Sequence, residues 1–264
     1  MFDKYISTKI LPIGIATVCL YAIGFLQFSK FNELIATHRQ PVDQSTYQIE
    51  TNRQQASLEL FKKTPAFGFD NVIADWTFLS FLQYFGDSAA RKSTGYKISP
   101  EFFDVVISRD PRFIDPYLFL STSSSLYAGQ PDRSVQLMEQ GLQSLSPQSD
   151  PNAYLVWLYK AIDELLFLSN NQAARRSYEQ VVAWAQANGD ANSQRVSAFS
   201  AKTAQFLANK PNSKSAQINA WLLVFVNAVD DNTRQRAINN IKQLGGQITF
   251  TSDGGVSVQH PKQD

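Results

Sequence analysis

From Pro65 to Gly246 the chain is a succession of apolar-periodic segments, each stopped by Gly, Pro, Asn or Asp, and this punctuation constrains the fold more than any other feature. Apolar residues three and four apart cover one face of a helix, and short breaks fold each helix back on the one before. The spacing predicts helices over about 70–86, 99–108, 115–128, 131–145, 151–168, 171–187, 191–208, 213–229 and 231–244. Ser99 before Pro100, Asp150 before Pro151, and Asp231 supply the chemistry of helix starts. Gly86, Gly129, Gly189 and the pair Gly245-Gly246 supply that of helix ends. Beyond them Ile248-Thr249-Phe250 and Val256-Ser257-Val258 flank Ser252-Asp253-Gly254-Gly255, the pattern of a small β-hairpin. The expected fold class is all-α, an irregular array of helical hairpins with a C-terminal β-hairpin.

The N-terminal part follows another rule. Ile10 to Phe28 is an uncharged run of 19 residues whose polar members are Thr17, Tyr21 and Gln27. A helix rising about 1.5 Å per residue over that length just spans a hydrocarbon core of about 30 Å. A cleaved secretory signal is the rival reading, but it calls for an apolar core of about 7–15 residues and a small-x-small site behind it. Ser29, Lys30 and Phe31 follow the run instead, which favours an uncleaved single-pass anchor. Lys4 and Lys9 lie before the run, Lys30 and Arg39 behind it. The positive-inside count then leans to an inner N-terminus and a large domain on the periplasmic or lumenal side. The expected layout is an anchor over 1–30, a helical linker over 31–64 broken at Pro41, a repeat domain over 65–246, and a hairpin with a tail over 247–264.

Charge and inventory exclude several function classes. The 264 residues carry 24 Lys and Arg against 23 Asp and Glu, a net charge of +1 with no long run of one sign, so no nucleic-acid partner is expected. Arg175, Arg176, Arg195, Lys202 and Lys210 are scattered as on solvated faces rather than along a phosphate track. The one cysteine, Cys19, lies inside the apolar run, so no intrachain disulfide is available. The two histidines, His38 in the linker and His260 in the tail, give no metal cluster or catalytic triad, and no glycine-rich phosphate loop, HExxH or GxSxG occurs. No cofactor, metal or catalytic residue is therefore assigned. Asp163 and Glu164 are adjacent and point to different sides of a helix, a poor acid–base pair. Lys160 and Glu164, four apart, read as a minor exposed ion pair.

The stretch DPYLFLSTSSSLYAGQPDRSVQLMEQGLQSLSP, from Asp115, has a helix, a glycine turn, a second helix and a terminal proline. It resembles a tetratricopeptide repeat. In that alignment Gly129 takes the turn glycine, Ser134 and Gly141 the small positions where neighbouring helices approach closely, and Met138 the large position between them. Pro147 lies one residue past the family's proline. In the next unit Ala174 and Tyr178 take matching places, Val181 stands where a small residue is the rule, and the step from Ser134 to Ala174 exceeds the family's repeat of about 34 residues. The resemblance covers about 100–187 and implies a protein-binding scaffold. The block NVIADWTFLSFLQYFGD, followed by FDVVISRDPRFIDPYLF, is also similar to poorly characterised bacterial tetratricopeptide-like membrane proteins, some of photosynthetic bacteria. That likeness implies architecture and no activity.

Aromatic residues crowd into short windows. Trp76, Phe78, Phe81, Leu82, Tyr84 and Phe85 wrap one helix almost completely, and such a helix is either gripped by neighbours all round or docks one face on a partner or membrane interface. Asp75 in that helix calls for a backbone amide or one of Arg109 and Arg112 as its partner, Arg112 belonging to an interhelix turn Asp110-Pro111-Arg112-Phe113. Tyr154, Trp157 and Tyr178 line either a peptide groove or the core. The protein-binding candidates are thus Trp76, Tyr84, Tyr154, Trp157 and Tyr178, and the structural ones Asp75, Arg112, Gly129, Ser134, Gly141 and Ala174. The function expected is that of a membrane-anchored scaffold, an assembly or accessory factor holding protein subunits of a membrane complex in a bacterial inner or thylakoid membrane. A permanent structural subunit, and a membrane-bound enzyme built on Asp75, Asp163 and Glu164, are the alternatives.

Overall fold

The structure, a computed structural model, describes residues 17–25, 27–28, 44–250 and 256–261. The chain divides into two units, residues 1–49 and 50–264. In the first, residues 17–25 form helix α1, with Val18, Leu20, Tyr21 and Phe25 exposed. Among the described residues no helix is long and apolar enough to cross a membrane. Residues 10–16 and 26 of the uncharged run lie outside the described residues, as do Pro41, His38 and the turn Ser252–Gly255.

Among the described residues eleven further α-helical stretches follow in sequence, most of them packed against the next. They are α2 (Gln44–Lys63), α3 (Asp70–Gly86), α4 (Ser88–Thr94), α5 (Ser99–Arg109), α6 (Pro116–Leu120), α7 (Pro131–Leu142), α8 (Tyr154–Leu166), α9 (Asn171–Asn188), α10 (Ala191–Asn209), α11 (Lys214–Val226) and α12 (Asp231–Gln243). The strands β1 (Gln247–Phe250) and β2 (Val256–Gln259) pair antiparallel, Ile248 opposite Val258, as the alternating ITF and VSV segments predict. Pairs such as α8–α9, α9–α10 and α11–α12 are neighbours both in sequence and in space, so the unit is a run of hairpins.

Local chemistry explains the boundaries. Asn170, Asp190, Ser213 and Asp230 each accept a hydrogen bond from a first-turn backbone N–H, capping α9 to α12. The cap of α12 is therefore Asp230, one residue before the predicted Asp231. Ser99 is not a cap: it opens α5 with its hydroxyl buried. Helix α4 is absent from the sequence reading, its one signal being Asp87, which accepts from the Ala90 N–H. The expected helix over 115–128 divides in two. After α6 the run Ser121–Tyr127 is π-helical, closed by a bond from the Ala128 N–H to the Ser123 carbonyl. The wider turn carries Ser121 and Ser125, whose hydroxyls donate to the Asp163 carboxylate rather than to the backbone of their own turn.

The main core gathers around Phe81, whose ring lies 4.6 Å from Phe103 and 5.8 Å from Phe102. Tyr117, Leu137, Met138, Tyr154, Leu158 and Tyr178 extend it through α6 to α9. A second cluster holds Ile218, Trp221, Phe225 and Ile241 of α11 and α12, with the hairpin's Ile248 and Val258 packed on it. Tyr127 joins the two: its hydroxyl donates to Asp230 at 2.7 Å, and the Arg236 guanidinium stands 5.0 Å over its ring.

Two close approaches fix the hairpin geometry. Gly129 closes the π-helical turn at φ 65°, a conformation that costs a side-chain-bearing residue strain. At Gly141 a Cβ would stand 1.9 Å from the Tyr117 hydroxyl, so only glycine lets α7 lie against that ring.

Candidate functional site

Three places outside ordinary core packing contain chemistry. The first is α3, which does not sit gripped on all sides. Ala74, Thr77, Phe81 and Tyr84 are buried, while Phe69 just ahead of the helix, Val72, Trp76 and Leu79 are 54–64% exposed. Residues 72, 75, 76, 79, 82 and 83 fall on one side of a helix at three- and four-residue spacing, and all six are exposed. The result is an apolar stripe of Val72, Trp76, Leu79 and Leu82, preceded by Phe67 in the α2–α3 turn. Of the two readings of the aromatic window, the buried one holds for Tyr84, with the Arg91 guanidinium 3.6 Å over its ring, and the open one for Trp76.

Asp75 lies in that stripe, and the expected pairing with Arg109 or Arg112 is not made. Arg109 bonds Asp70 at 2.9 Å and the carbonyls of Phe61 and Thr64, both at 2.6 Å. Those carbonyls end α2, where the helix has no internal donors left, and a cation there completes the cap. Arg112 is exposed in its turn, with its backbone N–H on the Asp110 carboxylate. Asp75 is exposed, and its side chain has no hydrogen bond or ion pair among the described residues. Its helical position points it away from α5, which carries Arg109.

The second place is a cleft of about 570 Å³ between α7, α8 and α9, bordered by Val135, Glu139, Trp157, Lys160, Arg176 and Gln180. Lys160 and Glu164 form its floor, and both are buried, contrary to the exposed pair expected from their spacing. A spacing of four shows that two residues share a face without showing which face. The Lys160 ammonium bonds Glu164 and reaches Glu139 at 3.3 Å and the Ser177 hydroxyl at 3.3 Å. Ser177 donates to the other Glu164 oxygen at 2.6 Å. Trp157 borders the cleft, its ring 5.9 Å from Trp184 and its Nε1 buried without a partner among the described residues. Tyr154 and Tyr178 do not line the cleft: both are sealed in the core. The groove reading passes to Trp157, while Ala174, fully buried on α9, packs where the repeat resemblance places a small residue.

The third place is inside the array. Asp163 is 0% exposed, and three hydroxyls donate to it: Ser121 and Ser125 from the π-helical turn, each at 2.6 Å, and Ser134 from α7 at 2.7 Å. Burial pushes its carboxyl up to about 6, against the opposing pull of the three serines, and the Glu164 charge adds to the rise. Ser134, read from the sequence as a small packing residue, is thus also a donor. The available signal was Ser121 and Ser125, four apart and so on one helical face, while the Ser123 and Ser124 hydroxyls are buried without a partner among the described residues.

Asp75, Asp163 and Glu164 do not share a setting: one lies on an open helix face, one is enclosed by serines, and one is ion-paired beneath the cleft. Among the described residues no group of three or more His, Cys, Asp and Glu side chains is arranged to hold a metal. His260 folds back on α11, its Nε2 2.8 Å from Asn219 Oδ1. Comparison with protein-family models, with curated proteins and with solved structures finds no match.

Proposed function

We propose that this chain is a non-enzymatic, membrane-anchored, protein-binding scaffold of the tetratricopeptide-like kind, an assembly or accessory factor that holds subunits of a membrane protein complex. The observation that carries the reading is the open stripe of α3. A helix with one face in the core and an aromatic, apolar face left outside supports a docking role, because large apolar side chains concentrate binding energy in few contacts. The uncharged run from Ile10 to Phe28 supports attachment to a bacterial inner or thylakoid membrane, with the array on the periplasmic or lumenal side. Anchoring raises the array's effective concentration near membrane partners, so a modest affinity suffices. The cleft at Trp157, with its paired Lys160 and Glu164, is a second surface suited to a peptide.

The test is a mild-detergent pull-down of the tagged full chain from its native membrane, beside a chain lacking residues 1–30 and a Trp76→Ala/Leu79→Ser double variant. Subunits of one membrane complex should co-purify with the wild type and be lost or reduced in both variants. A partner set that ignores both changes refutes the reading. Stoichiometric recovery with the mature complex identifies a permanent subunit rather than an assembly factor.

A further inference from the structure

We infer that the outward face of α3 receives one apolar helix carrying a single lysine or arginine, whose cation sits against Asp75. This rests on the protein-binding reading above and names the chemistry of the partner. Several carboxylates elsewhere in the unit are met by cations of the chain itself, Lys62 and Arg133 for Asp104, Arg109 for Asp70 and Lys160 for Glu164, and others by its hydroxyls, as at Asp163 and Asp230. Among the described residues Asp75 stands within an apolar stripe, flanked by Val72, Trp76 and Leu79, with neither a cation nor a hydroxyl bonded to its carboxylate. Covering the stripe would desolvate that carboxylate, which is costly unless the covering surface brings a positive charge.

The same carboxylate decides among occupants. A lipid surface with anionic headgroups would repel it, and the acyl boundary would leave it unpaired. A second copy joined through the same face about a two-fold axis would bring two Asp75 side chains to one seam. A helix fits the geometry, since ridges spaced three and four apart accept the ridges of another helix. The span from Val72 to Leu82 matches about three turns of such a partner.

The experiment uses the full chain in nanodiscs and two synthetic Leu/Ala-rich helical peptides, identical except for a central Lys in one and Glu in its twin. Binding is read by fluorescence anisotropy. The Lys peptide should bind about tenfold more tightly than its twin, Asp75→Lys should reverse the preference, and Trp76→Ala should weaken both. Equal binding of the twins, binding of neither, or a preference that survives Asp75→Lys overturns the inference. So does flotation of the chain lacking residues 1–30 with anionic vesicles, if Trp76→Ala abolishes it, or self-association in sedimentation lost in Trp76→Ala. If membrane-complex subunits still co-purify with the chain while the twins bind alike, the scaffold reading stands and this inference fails. If no subunits co-purify but the preference reverses with charge, the inference stands and the membrane-complex reading fails.

Discussion

Asp163→Asn is the most informative single change in the array. In the native state the carboxyl titrates at about 6, against an ordinary value of 3.8. The folded state therefore binds a proton more tightly than the unfolded chain between those values, and stability from this group rises as pH falls. Above about pH 6 the buried charge costs the fold about 3 kcal/mol, from roughly two units at 1.36 kcal/mol each. Below the unfolded value the cost is gone. Between pH 7.5 and pH 5 the wild type should recover about 1 kcal/mol from this residue, or about 2–4 °C in Tm for a unit of this size. The asparagine side chain keeps the shape and can still accept from one serine and donate to another, but it does not titrate. Thermal melts of wild type and variant at both pH values, followed by near-ultraviolet circular dichroism, isolate the contribution, since every other titrating group is common to both. The wild type should gain more Tm on acidification than the variant. Parallel shifts, or a larger gain in the variant, refute the argument that burial dominates at this carboxyl.

Gly141→Ala should destabilise by about 2 kcal/mol, the overpacking against Tyr117 being set against about 1 kcal/mol of helix propensity gained; denaturant titration checks this, and Tyr117→Leu should relieve most of the loss. Arg109→Ala should cost about 2–3 kcal/mol by removing the Asp70 pair and uncapping the end of α2, and limited proteolysis should cut first near residues 60–69. Lys160→Met should cost about 3–5 kcal/mol because Glu164 is left buried without its cation, while Lys160→Met with Glu164→Leu should recover most of it; equal stability of the single and double variants would count against the pairing.

The array of hairpins and the C-terminal strands could be read from periodicity and punctuation because both are local signals. Gly129 and Gly141 were legible for the same reason: each answers to the shape of the chain close by or to a small-residue pattern. The polar interior was not. Lys160 and Glu164 announce a pair but not its burial, which depends on how α7 and α9 close over them. Ser121, Ser125 and Ser134 meet Asp163 only through tertiary packing. For Asp75, the cost of an unsatisfied carboxylate in an aromatic helix pointed to Arg109 or Arg112, and the helix phase, known only once the buried face of α3 is known, turned it the other way. Trp76 and Tyr84 belong to one window, and eight residues of helical rotation separate an open side chain from a sealed one.

The serine nest has a consequence for the order in which the chain is made. Ser121 and Ser125 precede their acceptor by 42 and 38 residues, and Tyr127 precedes Asp230 by 103. On a ribosome the π-helical turn therefore emerges well before the groups that hold it, and its hydroxyls stay hydrated until α8 arrives. Docking of α8 brings Asp163 to three waiting donors in one event, and α11 and α12 close over Tyr127 only after Asp230 has been made. A chain released before Asp230 would retain the first lock and lack the second.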